Sequence, residues 1–264
     1  MGVFYFGEQS RQLFGVLETP PKKPRAGLVF CPPFGEEMVA TYARLSIFSK
    51  NLAKQGYAVL RYHPFGTGES GGSFADFTVT GALRDTLEAV NCLRERTGVD
   101  KWGFFGLRFG AFSAVQAGLI SPPDFVIFWS PIINLQNYIR ELLRTRLTAE
   151  MVHLHKEQVR ITTRDMVEEF EAERSVDILG YEFSPKLYRE MNAGTWPTTP
   201  VSTKMLWLSR ATEKRQLVSL PDSWTNPGGK VDFQTHPEFP FWEEYSSMFP
   251  NKFASASMSW LEEN

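Results

Sequence analysis

The residues with chemical potential cluster in three glycine-bearing turns and one late loop. The stretch WGFFGLRFGAFSAVQAG has an apolar strand, a Gly-x-x-x-Gly turn from Gly106 to Gly110, and then a helix of small residues. A strained turn of this kind presents a nucleophile, and its neighbours must be small. Gly106, Gly110, Ala111 and Ser113 satisfy that steric need. The centre of the turn is Arg108. A serine hydroxyl there attacks a carbonyl once a base takes its proton. A guanidinium stays protonated and offers no free lone pair.

Two further loops accompany the turn. FCPPFGEEM (30–38) follows a buried strand and occupies the place of an oxyanion loop, with Phe34 and Phe109 as the expected backbone donors. Pro33 lacks an N–H. Glu36 and Glu37 follow in the same loop, beside the turn. A carboxylate there needs a partner or a helix N-terminus. The sequence therefore offers two readings: pairing of Arg108 with one of these glutamates, or two glutamates that cap the next helix and face water. HPFGTGESGG (63–72) is the second glycine loop, in which Ser70 serves turn formation.

A catalytic acid is expected after a late strand and a histidine after the last one. After KMLWLS comes Glu213, the candidate acid, which reads equally as a solvated surface charge. After KVDFQT comes His236, the candidate base. Spacing back from the C-terminal helix instead puts Pro240 or Phe241 at the histidine position. His153 and His155 are two residues apart, on different faces of a helix, which does not suit metal ligation. No metal and no cofactor is expected. Cys31 reads as a buried structural thiol and not a nucleophile, and Tyr181 and Trp242 as core aromatics.

The elements that must position these groups follow from patterning. AGLVFC, YAVLRY, WGFF and DFVIFWS are continuous apolar runs of strand length, as in a sheet buried on both faces. Helical runs at 41–55, 80–96 and 109–119 alternate with them, and two short strands (3–7 and 13–18) precede them. This is an α/β protein with a mostly parallel central sheet flanked by helices. Residues 132–202 are mainly helical and charged, and are expected to form a helical cap insertion over the C-terminal edge of the sheet. Residues 1–131 and 203–264 form the core. At that edge open α/β sheets bind ligands.

Composition sets bounds. The 264 residues carry a net charge of −2, with 42% hydrophobic residues and two cysteines. A core of good size can form, and nothing in the balance favours nucleic acid. No apolar run reaches membrane-span length, and no leader pattern opens the chain. The expectation is a cytoplasmic protein with reduced thiols.

PPFGEEM, GYAVLRYHPFGTGESGG, WGFFGLRFGA, GYEFSP and the late PFW together resemble one family. It is the second of the two α/β-hydrolase-fold families named for the exosortase A system, related to serine aminopeptidase-like hydrolases. The resemblance spans about residues 26–263. It implies the α/β-hydrolase fold, Arg at the elbow as a feature of the subgroup, and a role beside polysaccharide or surface-protein pathways. His63, where an acidic residue commonly stands, and the bulky Phe109 depart from that pattern. Two functions are open at this point. One is a hydrolase of an acyl or ester small molecule by altered chemistry. The other is a non-catalytic accessory protein that holds an anionic small molecule in the old active site.

Overall fold

The computed structural model describes residues 1–153, 161–202, 204–213, 220–225, 230–243 and 248–264. Ten strands and eight helices occur among them. An N-terminal hairpin, β1 (Gly2–Phe6) and β2 (Leu13–Glu18), leads to β3 (Ala26–Cys31), α1 (Glu36–Lys54), β4 (Tyr57–Tyr62) and α2 (Val79–Thr97). Then come β5 (Trp102–Leu107), α3 (Phe109–Ile120), β6 (Phe125–Trp129), α4 (Leu135–His153) and α5 (Thr163–Glu171). A small hairpin, β7 (Val176–Ile178) and β8 (Tyr181–Phe183), precedes α6 (Pro185–Ala193). The chain closes with β9 (Lys204–Arg210), α7 (Asp222–Thr225), β10 (Lys230–His236) and α8 (Asn251–Glu263).

Eight strands form one sheet in the order β1-β2-β4-β3-β5-β6-β9-β10. The pairs from β4 to β10 are parallel, and β1–β2 and β2–β4 are antiparallel. The uninterrupted apolar runs have their cause here, since every residue of β3, β4, β5 and β6 is buried. One face packs against α2 and α3 through Leu93, Ala114 and Trp207. The other packs against α1 and α8 through Phe48, Phe105, Trp129 and Trp260. A third cluster joins α4, α5, α6 and the small hairpin to the turns above the sheet, with Phe34, Phe109 and Tyr138 at its base.

Local signals set the element ends. Thr78 accepts a hydrogen bond from the Gly81 N–H at 2.9 Å to start α2, and Gly98 ends it in the left-handed conformation. Thr162 and Asp165 form a capping box on α5. Three expectations need correction. The first long helix begins at Glu36 and not at 41, so Glu36 and Glu37 lie in its first turn and not in a loop. Carboxylates are favoured there by the helix dipole. His236 is the last residue of β10, not part of the loop beyond it. The segment read as helical contains the β7–β8 hairpin, whose turn residues Leu179 and Gly180 both have positive φ, as a tight two-residue turn requires. His155 lies outside the described residues, as does the side chain of His153.

The second glycine loop is pinned from its first residue. The His63 Nδ1 accepts the Glu69 N–H at 2.9 Å, and its ring sits between Phe14 and Tyr42, at 5.0 and 5.5 Å. Burial, helped by the Arg61 charge, pushes its pKa down from 6.5 to about 4. The unfolded chain therefore binds this proton more readily than the folded one. Stability from this group is complete above pH 6.5 and falls as pH drops toward 4, by up to about 3 kcal/mol. Urea unfolding at pH 7, 5.5 and 4 is expected to show that decline, and His63→Asn to flatten it. An unchanged slope in the variant would remove His63 as the cause.

Candidate functional site: an elbow closed by an ion pair

The turn after β5 has the geometry of a nucleophile elbow. Arg108 sits at φ 53°, ψ −120°, as the residue that starts α3. For a residue with a Cβ this costs about 1–3 kcal/mol and persists only when the surroundings enforce it. They do so through three backbone bonds. The Arg108 N–H donates to the Trp129 carbonyl at 3.1 Å, and its own carbonyl accepts from Ala111 and Ile132 at 3.1 and 3.2 Å. The flanking glycines have a steric reason. A Cβ on Gly110 would stand 1.9 Å from the Cys31 carbonyl oxygen, and one on Gly106 2.5 Å from the Ala111 Cα.

The Arg108 side chain turns to α1. Its Nε donates to Glu37 Oε1 at 3.0 Å, and the two side chains are only 10% and 13% exposed. The guanidinium also lies against two rings, Trp242 at 4.8 Å and Tyr138 at 5.7 Å. Trp242 takes a second guanidinium, from Arg210, at 5.6 Å. Burial alone would weaken the Arg108 charge, but Glu37, Tyr138 and Glu213 outweigh it and hold the group protonated. Glu37 is pushed above the ordinary carboxylate range, chiefly by burial, with Arg108 pulling it down and Glu243 pushing it up. Its second oxygen and the Tyr138 hydroxyl are neighbours, yet neither completes a hydrogen bond of good geometry.

The other expected residues fall in different places. Phe34 and Phe109 are buried, and their rings meet edge to face at 4.8 Å. Phe34 also contacts Phe77, Tyr138 and Phe183, so aromatic rings fill the space beside the oxyanion loop. Glu36 is exposed, and its charge helps burial raise the Tyr181 phenol. Glu213 is near the elbow, where its charge acts on Arg108, and it is held in place. Its Oε2 accepts from Ser130 Oγ at 2.8 Å and from the Arg210 N–H at 3.1 Å. His236 is turned toward α8, with Nε2 at 3.1 Å from Gln234 Oε1 and its ring against Phe253. It lines a groove of about 520 Å³ with Asn251, Lys252 and Ser255. Among the described residues no hydrogen bond or ring contact joins His236 to Arg108 or Glu213. Cys31 is free and buried, and burial holds its thiol protonated.

Sequence reasoning missed Tyr138, Ser130, Arg210 and Arg44. Arg44 fixes the last loop, donating to the carbonyls of Phe241 and Met248 at 2.8 Å each. Trp242 is thereby held over Arg108. Arg210 had a visible signal, a cation at the end of an apolar strand and three residues before Glu213. Tyr138 had none, because only the fold brings α4 to the elbow.

Comparison with known proteins fits this scaffold. A family model described as serine aminopeptidase, S33, matches residues 22–217, well over half of the chain. The chain belongs to this family. No curated protein matches the sequence. Solved structures share the α/β-hydrolase fold at low identity. Est1E of Butyrivibrio proteoclasticus with ferulic acid bound has a TM-score of 0.64 at 15% identity, covering 98% of this chain and 99% of that one. A lid-less α/β serine hydrolase from Xanthomonas campestris gives 0.60 at 13%, covering 99% and 94%. Mouse alpha/beta hydrolase domain-containing protein 10 gives 0.62 at 16%, covering 100% and 99%. Within the serine aminopeptidase family, then, this chain keeps the elbow backbone and carries a cation at its centre. Among the described residues no group of three or more His, Cys, Asp or Glu is arranged to hold a metal ion.

Glu213 holds two strand ends together, so Glu213→Gln is expected to lower stability by about 1–2 kcal/mol, measured by chemical unfolding. Ser130→Ala should lose part of the same amount. A Glu213→Gln protein as stable as the parent would show that the carboxylate is not structural.

Proposed function

We propose that this chain is a non-catalytic accessory member of its hydrolase family, with the former active site closed from within. The observation that carries this reading is the 3.0 Å ion pair between Arg108 and Glu37 at the elbow. The position that would hold a nucleophile holds a permanent cation, and the side chain from α1 neutralises it. Classical acyl transfer needs a nucleophile and a base within reach. Arg108 supplies no nucleophile, and His236 bonds to Gln234 on β10. Glu213, the acid of the alternative reading, uses Oε2 to accept from Ser130 and the Arg210 backbone, and its Oε1 faces the Arg210 guanidinium at 3.9 Å.

The family match and the shared fold support the other reading, a hydrolase acting on an acyl or ester compound. The side chains at the elbow oppose it. An anionic ligand is also disfavoured, because Glu37 and Glu213 already act on Arg108, Glu213 faces Arg210, and Glu243 adds negative charge near Glu37. The resemblance of the PPFGEEM and GLRFGA stretches to the exosortase-associated family supports an accessory role beside polysaccharide or surface-protein pathways. Two buried free cysteines suit a cytoplasmic setting, and no helix among the described residues is long and apolar enough to cross a membrane.

The test is chemical. A fluorophosphonate probe is expected to leave the protein unlabelled, and Arg108→Ser to remain inactive on short aryl esters. Labelling of a serine beside Arg108, or hydrolysis by the parent, would overturn the proposal. Activity gained by Arg108→Ser would show that a base still reaches the elbow.

A further inference from the structure

The buried side of α1 accounts for only half of its apolar residues. Ala40, Leu45, Phe48 and Leu52 face the core. On the opposite side Val39, Tyr42 and Ile47 are 51%, 41% and 47% exposed, and Ala43 between them is exposed as well. Positions 36, 39, 43, 47 and 50 form a seam at the three- and four-residue spacing of one helix face, and all five are exposed. The apolar surface continues to both flanks. Met248, 55% exposed, is tied to α1 through Arg44. On the other flank the rings of Tyr42, His63, Phe14 and Tyr5 touch in sequence, at 5.5, 5.0 and 5.7 Å, and reach Tyr5 and Val3, which are 53% and 55% exposed. Exposed apolar side chains grouped in this way mark an interaction site.

The order of residues along the seam identifies the partner. It is symmetric about Ala43, with Val39 and Ile47 four residues to either side and Glu36 and Lys50 seven. Two copies of α1 packed antiparallel about a two-fold axis at Ala43 would bring Val39 against Ile47 of the other copy twice. They would bring Glu36 against Lys50 of the other copy twice as well. The small side chain of Ala43 at the centre allows close helix approach, and antiparallel helix dipoles attract. A two-fold interface must be self-complementary in this way, whereas a surface shaped for a different protein has no reason to be.

We propose that this face of α1 joins two copies of the chain into an isologous dimer, with Val39, Ala43 and Ile47 at its centre and Glu36–Lys50 pairs at its ends. Val3, Tyr5 and Met248 widen the contact toward the area that a stable dimer needs, about 800 Å² per partner.

Sedimentation equilibrium of the full chain over about 1–100 μM tests this, a range that brackets micromolar association. A dimer is expected for the parent and a monomer for Val39→Glu/Ile47→Glu, with an unchanged far-UV circular dichroism spectrum. Glu36→Lys and Lys50→Glu should each weaken association by about tenfold, since each reversal sets two like-charge contacts into one dimer. The double charge exchange should restore it, because both copies then carry the inverted pair. A parent that stays monomeric would overturn the proposal. So would a dimer indifferent to Val39→Glu/Ile47→Glu, or a double exchange as weak as the single ones.

Discussion

A guanidinium held at the turn between β5 and α3 needs a counter-charge, and the Arg108–Glu37 contact is the constraint to which the neighbouring elements answer. The turn is strained because its three backbone bonds demand a positive φ at a residue with a Cβ. The side chain that emerges has little access to water, and a buried cation without a partner costs several kcal/mol. Glu37 can reach it only because α1 starts at Glu36, directly after the Gly35 turn, and so sets Glu37 one residue into the helix. Moving that start by one residue would swing the carboxylate by about 100° around the helix.

The rest of the site follows from shielding this pair. Tyr138 from α4 and Trp242 from the last loop lie against the guanidinium, and Phe34 fills the adjoining space with its aromatic neighbours. Arg44 and Glu213 act one step further out, each tying a loop in place by bonding to main-chain groups. The arrangement keeps the backbone of a hydrolytic elbow and sets an ion pair among aromatic rings at its centre. A fold held in common with ferulate-binding Est1E is compatible with such a change, since fold alone does not fix function.

Much of the scaffold was legible in the sequence. Fully buried strands announce themselves as unbroken apolar runs, and AGLVFC, YAVLRY and WGFF sit where those runs predict. The elbow was legible because Gly106 and Gly110 have steric jobs that no other residue can do. What was hidden depended on distance in the chain. The start of α1 was obscured by Pro32, Pro33 and Gly35, which read as loop. The β7–β8 hairpin was hidden in charged sequence because its turn uses Leu179 at positive φ, an unusual residue for that conformation. The partners of Glu213 and the orientation of His236 depend on strand register, β10 against β9, which residue types do not encode. The choice between Glu36 and Glu37 was likewise a matter of helix phase.

The central claim is that Arg108 and Glu37 stabilise each other inside the closed elbow. A double-mutant cycle with Arg108→Met, Glu37→Met and both together, read by urea unfolding at pH 7, measures that coupling directly. Methionine keeps a Cβ at position 108, so the backbone strain is common to both corners of the cycle. Each single variant should lose stability by leaving one buried charge unpaired, and the double variant should lose much less than their sum. The expected coupling is about 2 kcal/mol or more. Strict additivity of the two losses would contradict the account.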